Sequence, residues 1–178
     1  STHTLINGHH RNKTYHKYTV EQIERCTSEE ITKELLKKPL RVCGMVQNEG
    51  KAGGGPFFVR TGNGEITKQI IEAVQISSNQ DQKEKLELST HFNPVMMVLD
   101  LFDFEGVKYD LKSYRNDDNY FVVNKKFDGK DISFMELPGL WNGAMYDWNT
   151  LFVEIPIATF TPVKTVLDLL GKNHRLSQ

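Results

Sequence analysis

The stretch LRVCGMVQNEGKAGGGPFFVR, residues 40–60, sets the strongest limit on what this chain can fold into. Two short apolar runs, 40–46 and 56–60, flank a loop that ends in Gly53, Gly54 and Gly55, and Pro56 follows at once. Runs of that length, bounded by glycine and proline, predict a buried strand, a close turn and a second strand. The loop is not a Walker-type phosphate cradle. That motif closes on Gly-Lys-Ser/Thr and opens a helix whose N–H groups hold the phosphates. Pro56 has no N–H, and strand-like residues follow it. What three glycines supply is backbone that another chain or a ligand can approach closely. A ligand-facing loop and a flexible lead into a buried strand both satisfy these residues.

The remaining chain alternates helical and strand patterns without internal repeats. Residues 1–18 are polar, rich in His and Asn, and without period, which predicts an arm leading into a single domain over 19–178. His9, His10 and His16 lack a neighbouring carboxylate, so solvated histidines are preferred to a metal site. Residues 19–36 read as a helix with a Thr19–Gln22 capping box, stopped by Pro39. Residues 61–64, TGNG, read as a turn; 66–76 suit a strand or a helix, and 81–88 a short charged helix. Residues 107–114 and 120–137 alternate as strands, with Asp128-Gly129 closing a hairpin. Residues 151–155 form a further strand, and 162–170 a final helix ended by Gly171. The mixture predicts an α/β or α+β fold: one mixed sheet with flanking helices.

Charge and apolar content narrow the function. Lys plus Arg number 22 and Asp plus Glu 23, leaving a net charge of -1 and no basic excess of the kind a general nucleic-acid binder carries. No apolar run is long enough to span a bilayer, and the N-terminus does not read as a signal peptide. Cys26 and Cys43 lack metal or disulfide spacing and read as reduced thiols of a cytoplasmic protein. The chain begins at Ser1, which is consistent with a piece of something longer.

Three stretches could carry chemistry. In TFTPVKTVLDLLG, Thr161 reads as an N-cap, Pro162 as the first helical residue, and Lys164 as a cation at the positive end of the helix dipole. A bound anion would turn that unfavourable placement into a favourable one, while a lysine swung out to solvent is the plain alternative. In ELPGLWNGAMYDWNTLF, Trp141 stands among Asn142, Asp147 and Asn149; aromatic faces beside amides suit a sugar or a base, but on the residues alone a core loop is slightly preferred. In STHFNP, His91 and Asn93 read as a polar site or a satisfied turn. No nucleophile–base pair of a hydrolase can be assembled.

Taken together, RVCGMVQNEGKAGGGPFFV, THFNPV, LPGLWNGAMYDWNTLFVEIP and TFTPVKTVLDLL resemble a bacterial family catalogued as domain of unknown function 4301, over about 41–175. That family is in turn similar to UDP-N-acetylhexosamine pyrophosphorylase-type nucleotidyltransferases. There, a lysine in an F-x-P-[LV]-K segment meets the phosphate, and FTPVK, 160–164, fits that pattern. The resemblance implies the C-terminal, sugar-phosphate half of a nucleotide-diphospho-sugar transferase fold. Its partners would be a sugar phosphate or nucleotide sugar and the N-terminal nucleotide-binding half of the same protein, with no nucleic acid and no membrane. It implies Lys164 and Thr161 on the phosphate, Trp141, Asn142, Asp147 and Asn149 along the sugar, His91 and Asn93 at the rim, and Gly53, Gly54 and Gly55 closing on the cleft. Mg²⁺ is implied by the chemistry, with its ligands outside this chain, and the isolated chain should not complete a transfer. The competing reading is a non-catalytic ligand-binding or protein-interaction module.

Overall fold

The computed structural model describes residues 4–6, 37–49, 54–62, 64–76 and 79–175. The helix expected over 19–36, the three N-terminal histidines, Cys26 and Gly53 lie outside them.

The central strand is β2, Leu40–Gln47, and its sequence explains its position. Arg41, Cys43 and Met45 alternate on a fully buried face, with Val46 closing the far end. Strand β9, Asn149–Glu154, runs parallel to β2 and pairs Leu40 with Asn149 through Met45 with Glu154. On the other edge β2 meets an interrupted antiparallel strand: β5, His91–Phe92, opposite Val46 and Gln47, then β6, Met97–Asp100, opposite Cys43 to Leu40. A second sheet is antiparallel, in the order β1 (Thr4–Ile6), β3 (Gly55–Arg60), β4 (Ile66–Ile71). Ile70 of β4 packs with Cys43, Met45 and Phe152, so the two sheets share one core, which Met97 and Trp141 flank. Val59 and Ile71 form a smaller cluster with Phe57 and Ile76. With a mixed sheet and few helices the class is α+β, as the sequence predicts.

Helix α1, Gln80–Glu87, is capped by Asn79, whose side chain accepts the Gln82 N–H, and carries the Lys85–Asp81 pair. The hairpin of β7 (Phe121–Phe127) and β8 (Lys130–Glu136) turns on Asp128 and Gly129, with φ of 49° and 73°. Both residues at positive φ is the primed two-residue turn that Asp-Gly favours.

One open reading is settled and three change. Residues 66–76 split into β4 and a 3₁₀ turn, Ala73–Gln75, because β4 has β3 to pair with. Residues 107–114 do not form a strand: one Phe102–Lys108 bridge is followed by a 3₁₀ turn, Leu111–Tyr114, capped by the Asp110 side chain. The final helix is a short 3₁₀ turn, Val166–Leu170, whose cap is Thr165 rather than Thr161. Its residues are mostly exposed, so no packed apolar face extends it into an α-helix. Within the segment read as a polar arm, Thr4–Ile6 adds a strand to β3.

Candidate functional site

Three of the sequence motifs meet at the C-terminal end of β2. Asn93 joins them. Its backbone N–H donates to Gly54 O at 2.7 Å, tying the glycine loop to the HFNP turn. Phe92 meets Phe160 edge to face, with ring centroids 4.9 Å apart, tying that turn to FTPVK. Asn93 Oδ1 accepts the N–H of Val95 at 3.1 Å. Asn93 Nδ2 is buried and has no hydrogen-bond partner among the described residues. The turn is also strained: Val95, a β-branched residue, sits at φ 63°.

The glycines act by close approach. A Cβ on Gly55 would stand 3.0 Å from both His91 O and Ser89 Oγ, and one on Gly54 would stand 2.9 Å from the Ile70 side chain. Only a bare backbone lets β3 and β5 lie this near one another. Beside them opens a cleft of ≈ 360 Å³, with Phe57, Phe92 and Leu86 along its walls and Asn48, Glu72, Ser89 and His91 as polar groups. His91 Nε2 stands 3.6 Å from Glu154 Oε2, and Nδ1 lies 2.8 Å from Thr90 Oγ1. The carboxylate therefore comes from β9, the strand parallel to β2. Clefts at the carboxyl ends of parallel strands are common ligand sites in open sheets.

On the far side of Phe160 a second cavity, of ≈ 490 Å³, is lined by Thr161, Lys164, Thr165, Asp168, Lys172 and His174 among others. The backbone N–H groups of Lys164 and Thr165 are already taken there. Asp168 Oδ2 accepts the N–H of Lys164 at 2.8 Å and of Thr165 at 2.6 Å, and these bonds, Thr165 first, hold its carboxyl below the usual range. The dipole argument for Lys164 therefore does not apply. Lys164 lies before the cap of a 3₁₀ turn, and what it brings to the cavity is an exposed ammonium that makes no ion pair among the described residues.

The fourth motif lies elsewhere. Asn149 pairs with Leu40 at the start of β2, whereas His91 pairs with Gln47 at its end, about 23 Å away along an extended strand. Asp147 pairs with Lys38, and Asn149 Nδ2 donates to Lys38 O at 3.1 Å. Asn142 accepts the Gly139 N–H and donates to Leu137 O. Trp141 packs against the core. Asp147 and Asn149 thus fasten the start of β9 to the chain entering β2, while Asn142 braces its own loop.

Two buried cations stand outside the candidate residues read from the sequence. Arg41 is 1% exposed and Lys68 5% exposed, and both reach Thr150 of β9. The signal was in the alternation: Arg41 shares a face with Cys43 and Met45 in an otherwise apolar run. Among the described residues no three His, Cys, Asp or Glu side chains stand together as metal ligands. No described helix is long and apolar enough to cross a membrane.

The model of the family described as Domain of unknown function (DUF4301) matches residues 6–175, and the chain belongs to that family. No curated protein matches it.

Proposed function

We propose that this member of the family binds a sugar phosphate, as the acceptor half of a nucleotidyltransferase-like protein. One observation carries the reading: Asn93 is fixed between Gly54 and the Phe92–Phe160 contact and keeps a buried amide N–H without a partner among the described residues. A buried donor left unpaired is costly, and a sugar hydroxyl is an acceptor of the right kind. The cavity on the other side of Phe160 supports the phosphate end. Lys164 and Lys172 bring two ammonium groups against one carboxylate, Asp168, and the volume of ≈ 490 Å³ lies within the range of small-ligand sites.

In this reading His91 and the Gly55 backbone, which line the cleft, orient the sugar, and Asn93, next in the chain to Phe92 of the cleft wall, offers it the unpaired amide. Lys164, with Thr161 beside it, neutralises the phosphate so that an in-line attack on a nucleotide is favoured by position and charge. Mg²⁺ and the nucleotide would come with the other half of the protein. The interaction-module alternative draws on the β7–β8 hairpin, where Phe127, Ile132 and Phe134 lie on one face and are exposed.

Calorimetric titration with a panel of hexose 1-phosphates, with and without Mg²⁺, tests the proposal. Saturable binding weakened at least tenfold by both Asn93→Ala and Lys164→Ala is the expected result. Binding indifferent to both substitutions, or no binding by this chain or by a longer protein containing it, would overturn the proposal.

A further inference from the structure

The strongest unexplained feature lies away from the two cavities, where β4 crosses β9. Arg41 Nε donates to Thr150 Oγ1 at 2.8 Å and Nη2 donates to Gln69 Oε1 at 3.2 Å. Lys68 Nζ donates to Thr150 O at 3.1 Å. Gln69 Nε2 donates in turn to Tyr146 O at 2.9 Å, and the Thr150 hydroxyl to Trp148 O at 3.2 Å. Every acceptor is neutral. Neither cation has a carboxylate partner among the described residues.

The remaining groups do not supply the missing charge. The Cys43 thiol, next along the same face, is pushed up by burial against the pull of Arg41 and stays protonated. The indole N–H of Trp148 is buried without a partner among the described residues, which adds a donor rather than an acceptor. A guanidinium and an ammonium together carry eight N–H donors, far more than three neutral acceptors answer. One uncompensated buried ion costs several kcal/mol. Burial lowers the Lys68 ammonium to about 7, so below that pH two cations reach one threonine.

We infer that Arg41 and Lys68 form an internal site for a small monovalent anion of chloride size. Access sets the size: Arg41, Cys43 and Ile70 are at most 1% exposed, so a phosphate ester has no open path to the pair, whereas a single small ion can be enclosed as the two sheets close over it. An anion there gives both cations a counter-charge and ties β4 to β9 through electrostatics as well as the Thr150 bonds.

The test is thermal unfolding of the full chain at pH 6, where Lys68 carries its charge, in sodium chloride against sodium gluconate at equal ionic strength, for wild type, Arg41→Met and Lys68→Met. Gluconate is too large to enter. Chloride above its dissociation constant should raise the wild-type Tm by about 3–5 °C per tenfold, since each tenfold of a ligand bound only by the native state adds a fixed stability increment. Arg41→Met should abolish that response and Lys68→Met should at least halve it. If Arg41→Met does not fold, Lys68→Met and an anomalous bromide peak between the two side chains, in crystals grown without chloride and soaked in sodium bromide, carry the test. Equal chloride responses in wild type and variants, or no bromide at the pair, would overturn the inference.

Discussion

Replacing Lys68 with methionine should remove a specific pH dependence from this protein's stability. Lys68 is 5% exposed, and burial drives its ammonium from an ordinary 10.5 down to about 7. Between those values the unfolded chain holds a proton that the folded chain has released. Stability therefore rises with pH across the window, by at most about 1.4 kcal/mol per pH unit. The whole penalty, up to about 5 kcal/mol, weighs on the folded state below pH 7 and is relieved by about pH 10.5. Methionine fills a similar volume without charge, so Lys68→Met carries no such term. The assay is urea unfolding from pH 6 to 10.5 in gluconate buffers, with wild type and variant side by side. Other titrations cancel in the difference. Among them is the buried Cys43 thiol, raised above 9.0, which works in the opposite direction at high pH. The wild-type stability minus that of the variant should climb by several kcal/mol between pH 6 and 10.5. Two parallel pH profiles would refute the reasoning.

Other substitutions read out the candidate site and its supports. Val95→Gly relieves a left-handed backbone at φ 63° and, after the entropy cost of glycine, should raise stability by about 1 kcal/mol, seen as a Tm increase of about 2–4 °C. Gly55→Ala drives a methyl to within 3.0 Å of His91 O and Ser89 Oγ and should cost about 1–3 kcal/mol, visible as a lower urea midpoint at unchanged slope. Gly129→Ala, at φ 73°, should weaken the β7–β8 hairpin by about 1 kcal/mol, and amide exchange over 121–136 should quicken while that of β2 stays fixed.

The strands were legible because their information is local. The apolar runs of β2, β3 and β9, the glycines before β3 and the Asp128-Gly129 turn between β7 and β8 each act within a few residues. The final helix was misread for the opposite reason. Its capping letters, Thr161 and Pro162, are local, but a helix of that length needs an apolar face to pack, and Val166, Leu167 and Leu170 remain 80%, 73% and 60% exposed. At the site, the sequence named His91, Asn93, Gly54, Gly55 and Lys164 but could not show that Phe92 and Phe160 join them, since that contact spans distant motifs. The family resemblance also grouped Trp141, Asn142, Asp147 and Asn149 with them, whereas Asn149 pairs at the start of β2 and His91 at its end. Arg41 and Lys68 escaped notice because a cation in a strand looks like an outward-facing residue until the strand's partners are known.

The parallel pairing of β2 with β9 has a consequence for how this chain is made. Arg41 and the Thr150 that receives its hydrogen bond are 109 residues apart. Closing so long a loop is slow, and the pairing cannot begin until β9 has been synthesised. At 5–20 residues per second, a ribosome leaves that edge of β2 open for roughly 5–20 s, a period in which an apolar strand invites foreign partners. During translation, then, LRVCGMV is the segment a chaperone would shield, and the arrival of β9 is the event that releases it.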